Sequence, residues 1–330
     1  MNEYKSFTEA YVTEIEKVLR DPQHTSAPRG QRIRESLCQG FSIVDPLNRL
    51  PFTPGRSYNP TYFAAEIVWY MAGLSSLEWI APYAPFWTRI SDDGITCNSA
   101  YGSRIFVPAP IVGIQRSQWD WVRSELEHDP DSRRAYVHIR TAHDSFNARL
   151  DVPCTIGMQF IIRDGRLHMW TAMRSQDMIL GLGNDIPAFT MFHELMALQL
   201  GVQPGTYHHT VGSMHIYERD AGRAEAIVAN GSTAATLALR MPKMPCPMPA
   251  DSILRFEHRM RSGDDLGVRE QVANVANVVK QAGHEVDPYW ADIVALLGAF
   301  WLRKHGATDE ARSVVASCAW DGWSSETFKQ

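Results

Sequence analysis

Cys154 stands in the run Asp151-Val-Pro-Cys154, with Asp131-Ser-Arg133-Arg134 about twenty residues before it and Arg174-Ser175-Gln-Asp177 after it. A thiolate is a strong nucleophile, and the planar fork of a guanidinium matches the oxygens of a phosphate. One cysteine set among several arginines therefore points to covalent chemistry on a phosphorylated small molecule. By residue type alone, a free cysteine is more often a small buried hydrophobe and an Arg-Arg pair an exposed turn, so the weight falls on the order of the segments. The five cysteines (Cys38, Cys97, Cys154, Cys246, Cys318) are odd in number and widely spaced, with no Cys-x-x-Cys pair. That pattern argues against a disulfide framework and against a zinc site, and leaves one thiol free to react; no metal is expected.

The bulk composition narrows the partners. The chain has 330 residues, 45% hydrophobic and 21% charged, which suits a water-soluble fold with a large core. Its net charge of −5 gives no general attraction to nucleic acid or an anionic membrane, so the arginines act locally. The first residues lack a basic start followed by an apolar run, and no window approaches the ~20 apolar residues that span a bilayer, so a cytoplasmic protein is expected.

The elements that must hold these residues are legible in part. Tyr11, Val12, Ile15, Val18 and Leu19 have helical spacing over 8–19, with Asp21-Pro22 as the stop. A segment rich in Arg and Pro, read as loop, runs to about residue 59. Pro60 opens a helix closed by Gly73, and Glu66 is its one charge in an otherwise apolar run. Residues 134–174 alternate and carry β-branched and aromatic side chains, with Asp164-Gly165 as a hairpin turn. Cys154 thus precedes one strand and Arg174 ends the next. A buried helix is expected over 186–200 and a strand over 206–217, in which His208 and His209 read as ordinary strand residues. The Pro-rich stretch 241–249 separates a domain at 1–249 from a mainly helical extension at 250–330, where Val272, Val275, Val278 and Val279 share a face.

In order and spacing, the segments from Arg29 through Asp131-Ser-Arg-Arg134, Pro153-Cys154, Arg174-Ser-Gln-Asp177 and Leu180-Gly-Leu-Gly-Asn-Asp-Ile186 to Gly212-Ser-Met-His-Ile-Tyr217 resemble the thymidylate synthase family over roughly residues 29 to 220. The resemblance implies an α/β (α+β) fold, a large twisted mixed sheet packed with helices, and a homodimer formed through the sheet. It implies 5,10-methylenetetrahydrofolate as the one-carbon donor and Cys154 as the nucleophile that adds to pyrimidine C6, with its thiol pKa lowered by Arg174. Phosphate would be bound by Arg174 and Ser175, by Arg133 and Arg134 of the partner subunit, and by Arg29, though Arg32 and Arg34 lie close to it. Glu66 would organise water and move protons at the base. Trp87 and Tyr101 would line the cofactor and reaction site, Asp177 would contact the pterin, and His215 and Tyr217 would hold the sugar. Thr155 departs from the family's histidine, Ser213 from its aspartate, and the family's closing C-terminal tail is not recognisable.

One position bears on the base. The methylating members carry asparagine before the isoleucine at 186, and here it is Asp185. A carboxyl can accept from the amino group of cytosine and, when protonated, donate to its N3, whereas an ionised carboxylate opposes the O4 acceptor of uracil at ~1–3 kcal/mol. The resemblance is thus to the CMP and dCMP 5-hydroxymethylases of the superfamily, including cytidylate enzymes of nucleoside-antibiotic pathways, in which water rather than hydride completes the transferred carbon. A dUMP or UMP methylase with Asn184 as the reading residue, and a catalytically silent nucleotide-binding relative, are the alternatives.

Overall fold

The structure is a computed structural model that describes residues 1–330 apart from 54–57, 109–112, 114, 147–148, 232–238, 263–266 and 325–330. Seven strands, β1 (Asn2–Tyr4), β2 (His24–Ser26), β3 (Ile33–Ile43), β4 (Tyr136–His138), β5 (Thr155–Arg163), β6 (Arg166–Asp177) and β7 (Gln203–Tyr217), form one mixed sheet. Its order is β1-β3-β7-β6-β5-β4, with β2 paired to β3. β7 runs parallel to β6 and antiparallel to β3, so the two longest strands lie at the centre.

Six helices of 12 residues or more occur among the described residues: α1 (Phe7–Arg20), α2 (Pro60–Met71), α3 (Leu182–Gln199), α4 (Ala250–Arg261), α5 (Val268–Glu285) and α6 (Pro288–Lys304). α3 packs on β6 and β7, α2 on α3, and α6 on α2, so successive apolar layers extend from one face of the sheet. α1 begins where the Ser6 hydroxyl accepts from Glu9 N–H and Glu9 reaches back to Lys5 N–H, satisfying donors that a helix start leaves open. It buries Phe7, Ala10, Tyr11, Ile15, Val18 and Leu19.

α2 is apolar nearly all round because it lies between layers. Asn59 caps its start by accepting from Thr61 and Tyr62 N–H, and Pro60 lacks the amide that would have gone unbonded there. At the other end Gly73 adopts φ +68° while Gly73 N–H and Leu74 N–H donate to Tyr70 and Trp69 carbonyls, a stop that glycine accommodates without strain.

The helix at 60–71, the hairpin at Asp164-Gly165, the helix ending at Gly201 and the last central strand agree with the sequence reading. The segment read as loop does not, since it contains β3, a central strand. Its alternation is interrupted by Cys38 at φ +52° and by Gly40, where a Cβ would come within 2.7 Å of His209 carbonyl oxygen. The strand is held by long-range pairing to β7 and β1, which local periodicity does not encode. In the extension Val275 and Val278 are fully buried and Val272 and Val279 pack at the margin, as their spacing implied.

Candidate active site

Cys154 immediately precedes β5 and is half-buried. Two restraints shape its loop. Arg174, in β6, donates from Nε to Pro153 carbonyl oxygen (3.0 Å) and from Nη2 to Val152 carbonyl oxygen (3.0 Å), and its own N–H donates to Cys154 carbonyl oxygen (2.8 Å). On the other side Asp151 accepts from Ser99 N–H (2.9 Å) and Ser99 Oγ, and Asn98 Nδ2 donates to Asp151 carbonyl oxygen (2.8 Å). Arg104 and Asp144 hold Asn98 in turn. Burial raises the Cys154 thiol above its ordinary pKa; Arg174 and Arg29 pull it down, and Asp185 and Asp151 add to the rise. The expected lowering by Arg174 therefore holds for that one contact and is outweighed by burial.

Two carboxyls, Glu66 and Asp185, act electrostatically on Tyr101, as Cys154 does. Glu66, on α2, accepts at Oε1 from Tyr62 Oη (2.6 Å) and Tyr70 Oη (3.4 Å), residues four before and four after it and so on its face of the helix. Burial pushes its pKa up to about 8; the two tyrosines oppose the rise and Asp185 adds to it. Trp87 Nε1 reaches Tyr62 Oη (3.4 Å), and its ring stands edge-on to Trp69 at 5.2 Å. Tyr101 stacks on Tyr70 (5.3 Å, 22°) because Gly102 lets its backbone press against Tyr70, where a Cβ would overlap the carbonyl.

Asp185 sits in the first turn of α3 and accepts at Oδ2 from Gln176 Nε2 (2.7 Å). Burial pushes it up to about 7, Gln176 opposing and Asp177 adding. Its charge acts on Glu66, Tyr101 and Cys154, so the four form one neighbourhood. Asn184 turns away and donates to Leu180 carbonyl oxygen (2.9 Å), closing its own helical turn. The register is therefore the one that puts Asp185 on the inner side.

Along β6 and β7 the remaining candidates gather near that neighbourhood. Ser175 lies across from Ser213, and Asp177 across from His215. Asp177 Oδ1 accepts from Ile179 and Leu180 N–H (2.8 and 3.2 Å), which fixes the turn into α3, and burial raises its pKa. His215 packs edge-on to Tyr217 at 5.1 Å, and Arg219 lies over Tyr217 at 4.0 Å, a cationic neighbour that the sequence reading overlooked. Arg29 is exposed at φ +54° and near enough to influence Cys154. Arg34, by contrast, is bidentate on Glu218 (3.0 and 3.3 Å) and donates to Leu19 carbonyl oxygen, so it is not available to a phosphate.

Arg133 and Arg134 lie elsewhere. Arg134 pairs with Glu125 (2.8 Å), and Arg133 carbonyl oxygen accepts from Gln159, five residues along β5 from Cys154 and so roughly 17 Å away. Within one chain they are not brought to the thiol. No group of three or more metal-ligating side chains occurs among the described residues, and no helix among them is long and apolar enough to cross a membrane.

Of the groups the sequence reading passed over, Tyr62 and Tyr70 were legible as the i−4 and i+4 neighbours of Glu66. Gln176, Asn98 and Ser99 carried no periodic signal, because each acts through a partner distant in sequence.

Comparison with known proteins bears on the family and the fold. The family model described as thymidylate synthase matches residues 9–256. Similar proteins include the deoxyuridylate hydroxymethyltransferase of Bacillus phage SP01, 31% identical over 228 residues (65% of this chain, 58% of that protein). That of Delftia phage PhiW-14 is 32% identical over 194 residues (54% and 51%). The chain spans about half the length of these curated relatives. The thermostable thymidylate synthase A from Bacillus subtilis shares the fold, with a TM-score of 0.56 at 18% identity over 68% of this chain and 84% of that one.

Proposed function

This chain belongs to the thymidylate synthase family, and on that premise we propose that it transfers a hydroxymethyl group to C5 of a pyrimidine nucleotide, CMP or dCMP. The observation that carries the choice of base is Asp185: a carboxyl, held by Gln176, stands in the same neighbourhood as Cys154 and Glu66. A neutral carboxyl donates to cytosine N3 and accepts from its amino group, and an ionised one still accepts from the amino group. A second reading, deoxyuridylate as substrate, is favoured by the names of the phage relatives. A neutral carboxyl, like an amide, has one donor and one acceptor to offer uracil.

In this reading Cys154 Sγ adds to C6 of the base, which turns C5 into a nucleophilic carbon. Binding of an anionic nucleotide beside Arg174 and Arg29 adds no positive charge, so the thiol, raised by burial, gives its proton to a neighbouring base as it attacks. Arg174, Ser175 and Arg29 hold the phosphate, with Arg133 and Arg134 contributed by a partner subunit across a homodimer. His215 and Tyr217 hold the sugar.

The family uses 5,10-methylenetetrahydrofolate, which supplies a one-carbon unit at the oxidation level of formaldehyde. The residues present fit such a group: Trp87 and Tyr62 offer an aromatic wall beside Glu66, and the backbone bonds of Asp177 both fall on Oδ1, so its other oxygen would be the one to accept from a pterin N–H. Glu66, neutral near pH 7, orients the water that completes the hydroxymethyl group and moves its proton. Residues 1–249 carry this chemistry, and α4 and α6 of the extension pack against α2.

The test is incubation with methylenetetrahydrofolate and an equal mixture of CMP, dCMP, UMP and dUMP, read by mass. A gain of about 30 mass units on a cytosine nucleotide is expected, from the chemistry of adding CH2O. The same gain on dUMP would replace the first reading by the second, and a gain of about 14 on a uracil nucleotide would overturn both.

A further inference from the structure

We propose that Arg104 and Asp144 are positioning residues for the nucleophile: through Asn98 they hold the loop that presents Cys154, and so set the rate of thiol attack rather than the binding of either substrate. The inference rests on the reading of Cys154 as the attacking group.

Arg104 lies on the short helix Tyr101–Phe106 and Asp144 on the short helix His143–Phe146. All five N–H groups of the guanidinium are engaged. Nε donates to Asn98 carbonyl oxygen (2.9 Å), Nη1 to Ile139 carbonyl oxygen and Asp144 Oδ2 (both 2.7 Å), and Nη2 to Asn98 Oδ1 (3.1 Å) and Asp144 Oδ1 (2.8 Å). Asp144 is 3% exposed and also accepts from Thr141 N–H (2.9 Å) and Asn98 Nδ2 (3.1 Å). Burial works against its charge, but the hydrogen bonds from Arg104, Thr141 and Asn98 hold the carboxyl well below the usual carboxylate range. Asn98 is thus gripped at both atoms of its amide, the oxygen by Arg104 and the nitrogen by Asp144, which leaves Nδ2 aimed at Asp151 carbonyl oxygen (2.8 Å).

The cysteine loop is held at each carbonyl from 151 to 154. Asn98 takes that of Asp151, and Arg174 takes those of Val152, Pro153 and Cys154. Stability alone does not call for an ion pair behind this loop, since apolar residues of similar volume often hold a fold as well. What the guanidinium fork supplies is direction. The same arginine anchors the helix that carries Tyr101, on which Cys154 acts electrostatically, so one group sets both the nucleophile loop and Tyr101. Burial covers the thiol and raises its pKa. A loop released from Asn98 therefore leaves the thiol more open to a small reagent but no longer aimed, and a misplacement of about 1 Å is worth up to about 100-fold in rate. Reactivity toward a reagent and turnover then change in opposite directions.

The experiment compares the wild type with Asn98→Ala, Arg104→Lys and the double variant. Kinetics with methylenetetrahydrofolate and whichever of dCMP, CMP or dUMP the wild type turns over give kcat and both KM values. Iodoacetamide alkylation of the substrate-free enzyme at pH 8, read by peptide mass, gives the reactivity of Cys154, with the exposed Cys38 and the half-buried Cys318 as references in the same chain. Each single variant lowers kcat about tenfold or more and leaves both KM values within about threefold. Cys154 is alkylated about threefold faster or more, while Cys38 and Cys318 keep their wild-type rates. The double variant matches the slower single variant in kcat, because both substitutions cut one chain of contacts. Asn98→Ala leaves the ion pair in place and carries the test if Arg104→Lys does not fold. A kcat and a Cys154 alkylation rate unchanged in the single variants would show that the ion pair only braces the fold. Faster alkylation of Cys318 as well would assign the loss to general loosening and overturn the proposal. Turnover retained by Cys154→Ala would instead remove the underlying reading, and the role of Arg104 and Asp144 with it.

Discussion

Carboxyls taken out of water are treated in opposite ways in two regions of the molecule. On the side of the C-terminal helices, Glu257 is 1% exposed and accepts from the guanidinium of Arg261 (2.7 Å) and from Tyr83 Oη (2.9 Å). Arg261 also donates to the carbonyls of Glu78 and Trp79, and Trp301 Nε1 donates to Tyr83, so the ion pair fastens the extension to the segment leading to Trp87. On the side of the sheet, among the described residues, Glu66 has only tyrosine hydroxyls and Asp185 only an amide as hydrogen-bond donors. No hydrogen bond to a cation among the described residues offsets their desolvation, and their pKa values rise to about 8 and about 7. A paired carboxylate cross-links the fold; a carboxyl with neutral donors is left poised to exchange a proton near neutral pH.

The sharpest break between the two regions comes from Cys154→Ala. Turnover should fall by roughly 10⁴-fold or more while nucleotide binding, measured by calorimetry, and the thermal midpoint stay near wild type. Retained turnover would remove the covalent mechanism. Arg261→Ala should do the reverse, since it strands a buried charge and so destabilises the fold by about 3–5 kcal/mol in urea unfolding. A loss under 1 kcal/mol would mean that the ion pair does not fasten the extension.

The pH dependence of stability separates the regions further. A carboxyl whose pKa is raised by folding stabilises the fold fully below its unfolded value, about 4.5 for Glu66, and that contribution is lost as pH rises through about 8. The wild type should therefore lose stability relative to Glu66→Gln between those pH values; parallel melting curves would place Glu66 outside this account. The smallest effect is expected from Ser99→Ala, which removes one of two hydrogen bonds to Asp151 behind the cysteine loop. About 1 kcal/mol of stability and a few-fold fall in kcat should follow, with KM little changed.

Much of this organisation was legible before the structure. The Asp-Gly hairpin, the Pro60 to Gly73 helix and the valine face of the extension follow from local rules of turns, caps and period. Glu66 stood out because a charge in an apolar helix needs a reason. What stayed hidden depends on distant pairing: β3 becomes a strand because β7 and β1 accept it, and Gln176 gains its role because α3 folds back over β6. Electrostatics was misjudged for a related cause, since Arg174 in the sequence announces a charge but not the burial that outweighs it at Cys154.

The most direct test of the account is the base preference of Asp185→Asn beside the wild type at pH 8, both given methylenetetrahydrofolate and equal dCMP, CMP and dUMP. The account predicts hydroxymethylated cytosine nucleotide from the wild type and a shift of about 100-fold toward dUMP in the variant, the scale of about 2–3 kcal/mol for a donor and acceptor exchanged in a buried site. An unchanged preference would contradict it.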